Sequence, residues 1–326
     1  MSSPVRAVAP IVLAGAVLAL VPLRYGDSRT TMGVAIVGML FAAYTIGFNV
    51  IFGTTGQLFL CVGALAGIGG YGSGILSEQY GVPMVLSLVL GAAVASVVGG
   101  MLSWVAARRS LDVIFTGVVT LAFSLGFENL LLGQRDLTGG ETGLVIESAA
   151  DTFLRERVPR YYVFLGLVLA YLVLYRILER SHVGWAFRAL RDDKLAAELA
   201  GVDVTYYRVF AGVAGSAMIG LAGALYAQSE GFISPTTFGF GSVDVRVLVM
   251  LVFGGIGTLL GPVVGAAAFT VLDEWLVSYS ELRPVLYGVA IVVLFLGFRR
   301  GVIPAVASVA RRAEAGRRGS DISNVG

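Results

Sequence analysis

The chain of 326 residues contains one cysteine, one histidine and one lysine, and each scarcity removes a class of chemistry. Cys61 has no partner for an intrachain disulfide and, inside an apolar run, says nothing about redox compartment. His182 and Cys61 lie far apart in sequence, so the three or four nitrogen and sulfur ligands of an ordinary zinc site are missing. Lys194 follows Asp193, so there is no G-x-x-x-x-G-K-[ST] phosphate loop and the chain cannot hydrolyse ATP alone. No G-x-S-x-G nucleophile elbow is present either. Charge is also sparse: 13% of residues are charged, against about 25% in a soluble domain. The formal net charge of +2, clustered near the ends of apolar runs, is too small for a nucleic-acid partner.

What the chain has in excess is apolar surface and glycine: 57% hydrophobic residues, 44 glycines and a mean hydropathy of +0.85. Small residues let membrane helices approach closely, so the composition reads as an all-α polytopic membrane protein. Apolar runs at 7–23, 33–53, 58–76, 84–107, 112–132, 161–178, 207–228, 245–260, 262–279 and 284–298 predict about ten transmembrane helices. No small-x-small cleavage site follows 7–23 before Arg24, so that run is expected to stay as a first helix. The pair at 245–279 can also be read as re-entrant. A transmembrane domain over 1–306 thus carries a polar lobe at 133–160 and a polar loop at 180–206, and 307–326 is a basic tail. The run Gly67-Ile68-Gly69-Gly70-Tyr71-Gly72 fits G-x-G-x-x-G, but no strand precedes it, so helix packing is the better reading. Glu128, Asp244 and Asp273 are expected towards span ends, leaving the mid-membrane almost without ionisable groups.

One polar interruption still looks built to fold. Within 184–204, Asp192 or Asp193 can cap a helix, 194–200 lacks glycine and β-branched residues, and Gly201 can end it left-handed. Leu195 and Leu199 share a face at i, i+4, while Ala196, Ala197 and Ala200 leave the backbone approachable. Two readings fit: a docking surface, or an amphipathic helix lying on lipid headgroups. Two further stretches echo each other, Phe52-Gly53-Thr54-Thr55-Gly56-Gln57-Leu58 and Phe253-Gly254-Gly255-Ile256-Gly257-Thr258-Leu259. Each joins two apolar runs with almost no loop, and glycine-interrupted segments in two halves point to a substrate pathway, although a pair of tight turns would look alike.

Basic residues set the expected orientation. With ten spans and an inner N-terminus, one side collects Arg6, Arg108, Arg109, Arg176, Arg180, Arg188, Arg191, Lys194, Arg208 and six tail arginines, fifteen against eight on the other. The excess belongs in the cytoplasm, which puts both termini and 180–206 inside and the 133–160 lobe outside.

The run Gly184-Trp185-Ala186-Phe187-Arg188-Ala189-Leu190-Arg191-Asp192-Asp193-Lys194-Leu195-Ala196-Ala197-Glu198-Leu199-Ala200-Gly201 resembles the cytoplasmic loop of permease subunits of ATP-binding-cassette importers for branched-chain amino acids, LivM type. The likeness continues through Leu137-Thr138-Gly139-Gly140-Glu141-Thr142-Gly143-Leu144, Gly220-Leu221-Ala222-Gly223-Ala224-Leu225-Tyr226-Ala227, Gly231-Phe232-Ile233-Ser234-Pro235 and Gly254-Gly255-Ile256-Gly257-Thr258-Leu259-Leu260-Gly261-Pro262, covering roughly 30–300. The wider importer motif, Glu-Ala-Ala-x-x-x-Gly, is kept here as Leu195-Ala196-Ala197 with Gly201, its first residue replaced.

The resemblance implies a transport subunit without a cofactor, in a prokaryotic inner membrane, assembled with cytoplasmic ATPases, a second, LivH-like permease and an external solute-binding protein. Arg188, Arg191, Asp192, Asp193, Leu195, Ala196, Ala197, Glu198 and Gly201 would then couple to the ATPase. Asn49, Thr54, Thr55, Gln57 and Thr258 would supply dipoles to a zwitterionic substrate at the glycine turns. Urea or short amides remain alternative substrates. An ion-driven secondary transporter would need mid-membrane ionisable groups, and a membrane-embedded enzyme a catalytic constellation, of which the spans show none.

Overall fold

The computed structural model describes residues 4–25, 28–147, 153–277, 288–289 and 303. The predicted last span at 284–298, apart from residues 288–289, and the tail at 307–326 lie outside the described residues. The helices are α1 (Pro4–Ala19), α2 (Val21–Tyr25), α3 (Arg29–Thr55), α4 (Val62–Tyr80), α5 (Met84–Arg108), α6 (Val113–Gly133) and α7 (Arg135–Thr138). They continue with α8 (Arg157–Arg180), α9 (His182–Asp192), α10 (Lys194–Leu199), α11 (Val204–Glu230), α12 (Asp244–Gly254) and α13 (Gly261–Val277).

Among the described residues, five helices are long and apolar enough to cross a bilayer: α3, α5, α6, α8 and α11. At 1.5 Å per residue, the 11 residues of α12 reach about 16 Å, half of a hydrocarbon core about 30 Å thick. The apolar run at 245–260 is therefore a half-length helix and a turn.

Glycine positions explain how the bundle closes. α11 packs along α3, α4 and α5 at its centre. A Cβ at Gly69 would lie 2.0 Å from the Gly220 carbonyl oxygen, and one at Gly223 would lie 2.1 Å from that of Ala66. The glycine run in α4 is thus a backbone-to-backbone seam, where dispersion between close helices replaces the hydrophobic drive that lipid cannot supply. Polar ties reinforce the seam: Gln228 Nε2 of α11 donates to Ser73 Oγ at 3.0 Å and Ser77 Oγ at 2.9 Å of α4, and Ser73 meets Ser87 of α5 at 3.0 Å. The outward faces of α5 and α6 expose Val89, Val97, Met101, Ile114, Phe115 and Val118, as a lipid-facing surface should.

The two polar insertions sit at opposite ends. The 133–160 lobe precedes α8 and the 180–206 segment follows it, and the 24 residues of α8 separate them by about 36 Å. At the lobe end, β1 (Leu144–Val145) pairs antiparallel with β2 (Phe232–Ile233), and Arg160 bridges to Glu230 at 2.8 Å.

Replacing Gly69 by Val should lower the stability of the detergent-solubilised protein by about 1–3 kcal/mol through forced separation of α4 and α11. Gly33→Val, where a Cβ meets nothing within 4 Å, is the control. Equal thermal unfolding midpoints for the two variants would remove the seam from the account.

Candidate functional site

The site begins with backbone that is not helical. After α3 ends at Gly56, which takes φ 70° and donates its N–H to the Phe52 carbonyl, residues 57–61 run extended into the bundle before α4 starts. Unpaired peptide groups at such depth cost several kcal/mol each, so partners must come from the protein. They come from α6, where Thr116, Thr120 and Ser124 form a buried stripe at i, i+4, i+8 on a helix otherwise largely exposed. Thr120 Oγ1 accepts the Leu60 N–H at 2.9 Å and lies 3.3 Å from the Leu58 carbonyl oxygen. Ser124 Oγ donates to Asp244 Oδ2 at 3.1 Å, and Asp244 Oδ1 accepts the Gly63 N–H at 3.1 Å. Asp244 thereby caps the free N–H groups at the start of α4, where the positive end of the helix dipole also favours a carboxylate.

Asp244 corrects the sequence reading, which placed it towards a span end. It is 1% exposed, and Ser124 lies 11 residues into the 21 of α6, at about its middle. The misplacement has a physical cause. A hydropathy window assumes that a span starts at water, whereas 235–243 folds back into the bundle with Phe238 against Gly63 and Gly67. Glu128 is half-buried beside Gly239, and Asp273 faces Arg246 at 3.5 Å. A mid-depth carboxylate also removes the argument from absence against an ion-coupled mechanism. Its two oxygens are, however, both engaged, one by the Gly63 N–H and the other by the Ser124 hydroxyl.

The two glycine turns meet each other. Asn49, fully buried in α3, donates Nδ2 to the Thr258 carbonyl at 3.1 Å and accepts the Gly257 N–H on Oδ1 at 2.8 Å. Thr258 Oγ1 donates to the Gly255 carbonyl at 2.7 Å and accepts the Gly261 N–H at 3.2 Å, closing the turn on itself. Gln57 Nε2 donates to Thr55 Oγ1 at 2.9 Å and to the Arg208 carbonyl at 3.0 Å, tying the first turn to the start of α11. Thr54 and Thr55 return their hydroxyls to the Val50 and Ile51 carbonyls of their own helix. The structure thus brings Asn49, Thr258 and, through backbone, Gly53 together, while Gln57 and Thr55 form a separate tie. Thr54 faces a cavity of about 130 Å³ shared with Val50, Tyr175, Phe187 and Arg191.

The 180–206 segment folds as two helices, longer than the two turns its spacing predicts. Ser181 caps α9 by accepting the Gly184 N–H at 3.4 Å, and α9 buries Ala186, Phe187 and Leu190 while exposing Trp185, Arg188 and Arg191. Phe187 packs edge-on to Tyr207 of α11 at 6.3 Å. Asp193 is extended and breaks the run; its Oδ1 accepts the Leu195 and Ala196 N–H groups at 2.8 and 3.1 Å, so it is the cap of α10, and Asp192 ends α9. Gly201 takes φ 85°, as its place after the helix predicts. Ala197 turns inward against Leu190 and Val204, whereas Ala196 and Glu198 face out. Leu195 and Leu199 are 66% and 82% exposed, an apolar pair with nothing on it among the described residues. This segment meets the glycine turns directly: Arg191 Nη2 lies 3.4 Å from the Ile256 carbonyl oxygen, and Phe187 and Arg191 share a cavity wall with Gly53, Thr54 and Gly257.

Sequence reasoning missed Asp244 and the Thr116, Thr120, Ser124 stripe. The signal for the stripe was present, since small hydroxyls four apart in an apolar span mark a face turned towards protein.

The family model for the permease component of branched-chain amino acid transport systems matches residues 30–298. The chain is 28% identical over 304 residues to the high-affinity branched-chain amino acid transport system permease protein LivM of Salmonella typhimurium and, separately, to that of Escherichia coli, covering 85% of this chain and 71% of each relative. The LivH permease protein of the same system in Escherichia coli is 24% identical over 284 residues, 82% of this chain and 92% of LivH. A fructose import permease protein, FrcC of Rhizobium meliloti, is 27% identical over 242 residues, 72% of this chain and 65% of FrcC. No solved structure matches.

Asp244→Leu strands the Gly63 N–H and the Ser124 hydroxyl in a buried place and should cost about 2–4 kcal/mol. Asp244→Asn, which keeps one acceptor, should cost less than half as much. Thermal midpoints in detergent measure both, and a Leu variant as stable as the parent would contradict the capping role.

Proposed function

Because the chain belongs to the family of permease components of branched-chain amino acid transport systems, we propose that it forms the membrane pathway for branched-chain amino acids in an importer driven by cytoplasmic ATPases. In this reading it lies in the prokaryotic inner membrane with about ten membrane-embedded segments, the half-length α12 among them, and with both termini inside, beside a LivH-like second permease and an external solute-binding protein. The observation that carries the coupling half is the exposed Leu195 and Leu199 pair. A six-residue helix is too short to be stable alone. Its cap at Asp193, its inward Ala197 and its left-handed stop at Gly201 present two large apolar side chains to solvent, a geometry suited to a hydrophobic groove on a partner. Arg188 and Glu198 are exposed nearby and would add polar contacts at the rim.

Movement of this helix reaches the pathway through short links. α9 is packed on α11 by Phe187, and Arg191 touches the 255–260 turn that Asn49 ties to α3. ATP-driven closure of the ATPases would thus shift the glycine turns, exchanging outward for inward access. The polar groups of Asn49, Thr54, Thr55, Gln57 and Thr258 largely bond to the protein itself, which supports a reading in which choice of solute rests mainly with the external binding protein. Relatives named for branched-chain amino acids support that substrate class. The fructose permease among them keeps other small polar solutes, urea and short amides included, as the alternative.

Leu195→Asp with Leu199→Asp should leave the permease inserted, abolish co-purification of the ATPase and cut ATP-driven uptake by about a hundredfold or more, the scale of losing two buried leucines, about 3 kcal/mol at the least, from an interface. Gly201→Arg should act in the same direction through strain at φ 85°. Ala197→Arg is unsuitable as a docking probe, because Ala197 is packed inside the segment. Unaltered uptake in the double variant would remove the docking role. Cys61 is fully buried and so a silent background for single-cysteine labelling. Cysteine near Gly139, at the exposed Glu141, should react from outside the cell and near Asp193, at the exposed Ala196, from inside, and the reverse pattern would overturn the orientation.

A further inference from the structure

The junction of α8 and α9, which shares only Arg188 with the proposed coupling residues, carries its own chemistry. Along α8, Val173, Leu174 and Ile177 are exposed, continuing a stripe set by Tyr162 and Ala170 at helical spacing. One turn further the character changes. Arg176, Glu179, Arg180, Trp185 and Arg188 enclose an open recess of roughly 310 Å³ where α8 gives way to α9. Three guanidiniums face one carboxylate there, and that carboxylate is held by Arg176 at 2.5 Å. Arg188 stacks over the Trp185 ring at 4.7 Å, and Trp185 is 69% exposed beside the charged cluster. An apolar stripe that gives way to a tryptophan and surplus positive charge matches the passage from acyl chain to headgroup in a lipid leaflet.

We propose that this recess binds the headgroup phosphate of an anionic phospholipid, with its acyl chain along Val173 and Ile177 of α8. The sequence left two readings of the 184–204 stretch, lipid surface and protein docking, and the fold separates them. α9 turns Trp185 and Arg188 towards the recess, while α10 presents Leu195 and Leu199 elsewhere. Arg180 and Arg188 lie on either side of the turn at Ser181, so one phosphate between them fixes the angle at which α9 leaves α8. That angle sets where α10 stands. The binding claim rests on the recess alone; its effect on transport rests in addition on the docking role of α10.

The test uses the whole transporter, with its partner subunits, extracted from membranes and examined by native mass spectrometry for retained phosphatidylglycerol. The parent should retain it over phosphatidylcholine, Arg180→Lys should keep it, and Arg180→Gln should lose about fivefold, the effect of one basic group near a lipid surface. Arg109→Gln, an exposed arginine at the end of α5, serves as the control and should not change retention. Equal retention by Arg180→Gln and the parent, or equal loss in Arg109→Gln, overturns the site. In proteoliposomes, uptake by the parent should rise as phosphatidylglycerol replaces phosphatidylcholine, and Arg180→Gln should respond less. If the mass-spectrometric difference holds while the two respond alike, the lipid site stands and its link to coupling fails.

Discussion

Peptide groups below the membrane surface must find their hydrogen bonds within the protein, and this constraint shapes the molecule more than any other. Two breaks in the helical backbone lie away from the bundle ends, the start of α4 at Val62 and the glycine turn after α12, and each leaves N–H groups, those of Gly63 and Gly257, that take a side-chain acceptor. A side chain answers the first: the Asp244 carboxylate accepts the Gly63 N–H and a hydroxyl from Ser124. Thr120 supports the extended lead-in to α4 at Leu60. A charge-assisted bond of this kind contributes about 1.5–3 kcal/mol, while the same carboxylate without partners would be a liability of greater size. The helix can therefore break before α4 because α6 supplies hydroxyls on one face.

The second turn obeys the same rule with a neutral group. Asn49 uses both ends of one amide, donating to Thr258 and accepting from Gly257, so a glycine turn with no room for side chains is fastened to α3. An amide fits because it offers donor and acceptor together without charge. Near the surface the constraint relaxes, and the 180–206 segment is held by caps at Ser181 and Asp193, by Phe187 packed on Tyr207, by a small apolar cluster and by the Arg191 contact. A rigid interior joined to a segment that is packed on α11 and still presents Leu195 and Leu199 outward is an arrangement that can transmit a push from a partner, in keeping with the proposed coupling.

Close packing sets the remaining shape. α11 approaches α4 so nearly that the Gly69 and Gly220 backbones touch, and serine and glutamine side chains tie the same helices. Helices brought this close move as units. The expected consequence is that displacement of the α11 start, where Phe187 and the Gln57 tie attach, is shared by α4.

From residue order alone came the membrane class, the helical identity of α3, α5, α6, α8 and α11, and the capped helix ended by Gly201. These depend on local matters: apolar length, short-range capping and the left-handed tolerance of glycine. The family was legible as well, because the 184–201 and 254–262 runs are contiguous motifs. Depth was not. Asp244 was assigned to a span end because sequence records only distance along the chain, and only the return of 235–243 into the bundle places that carboxylate opposite the middle of α6. Likewise the partners of Asn49 lie over 200 positions away, and whether Ala197 or Leu199 faces a partner depends on Leu190 and Val204 covering one side of α10. Local rules decide which segments fold; which side of each is hidden, and how deep it lies, is decided by what packs against it.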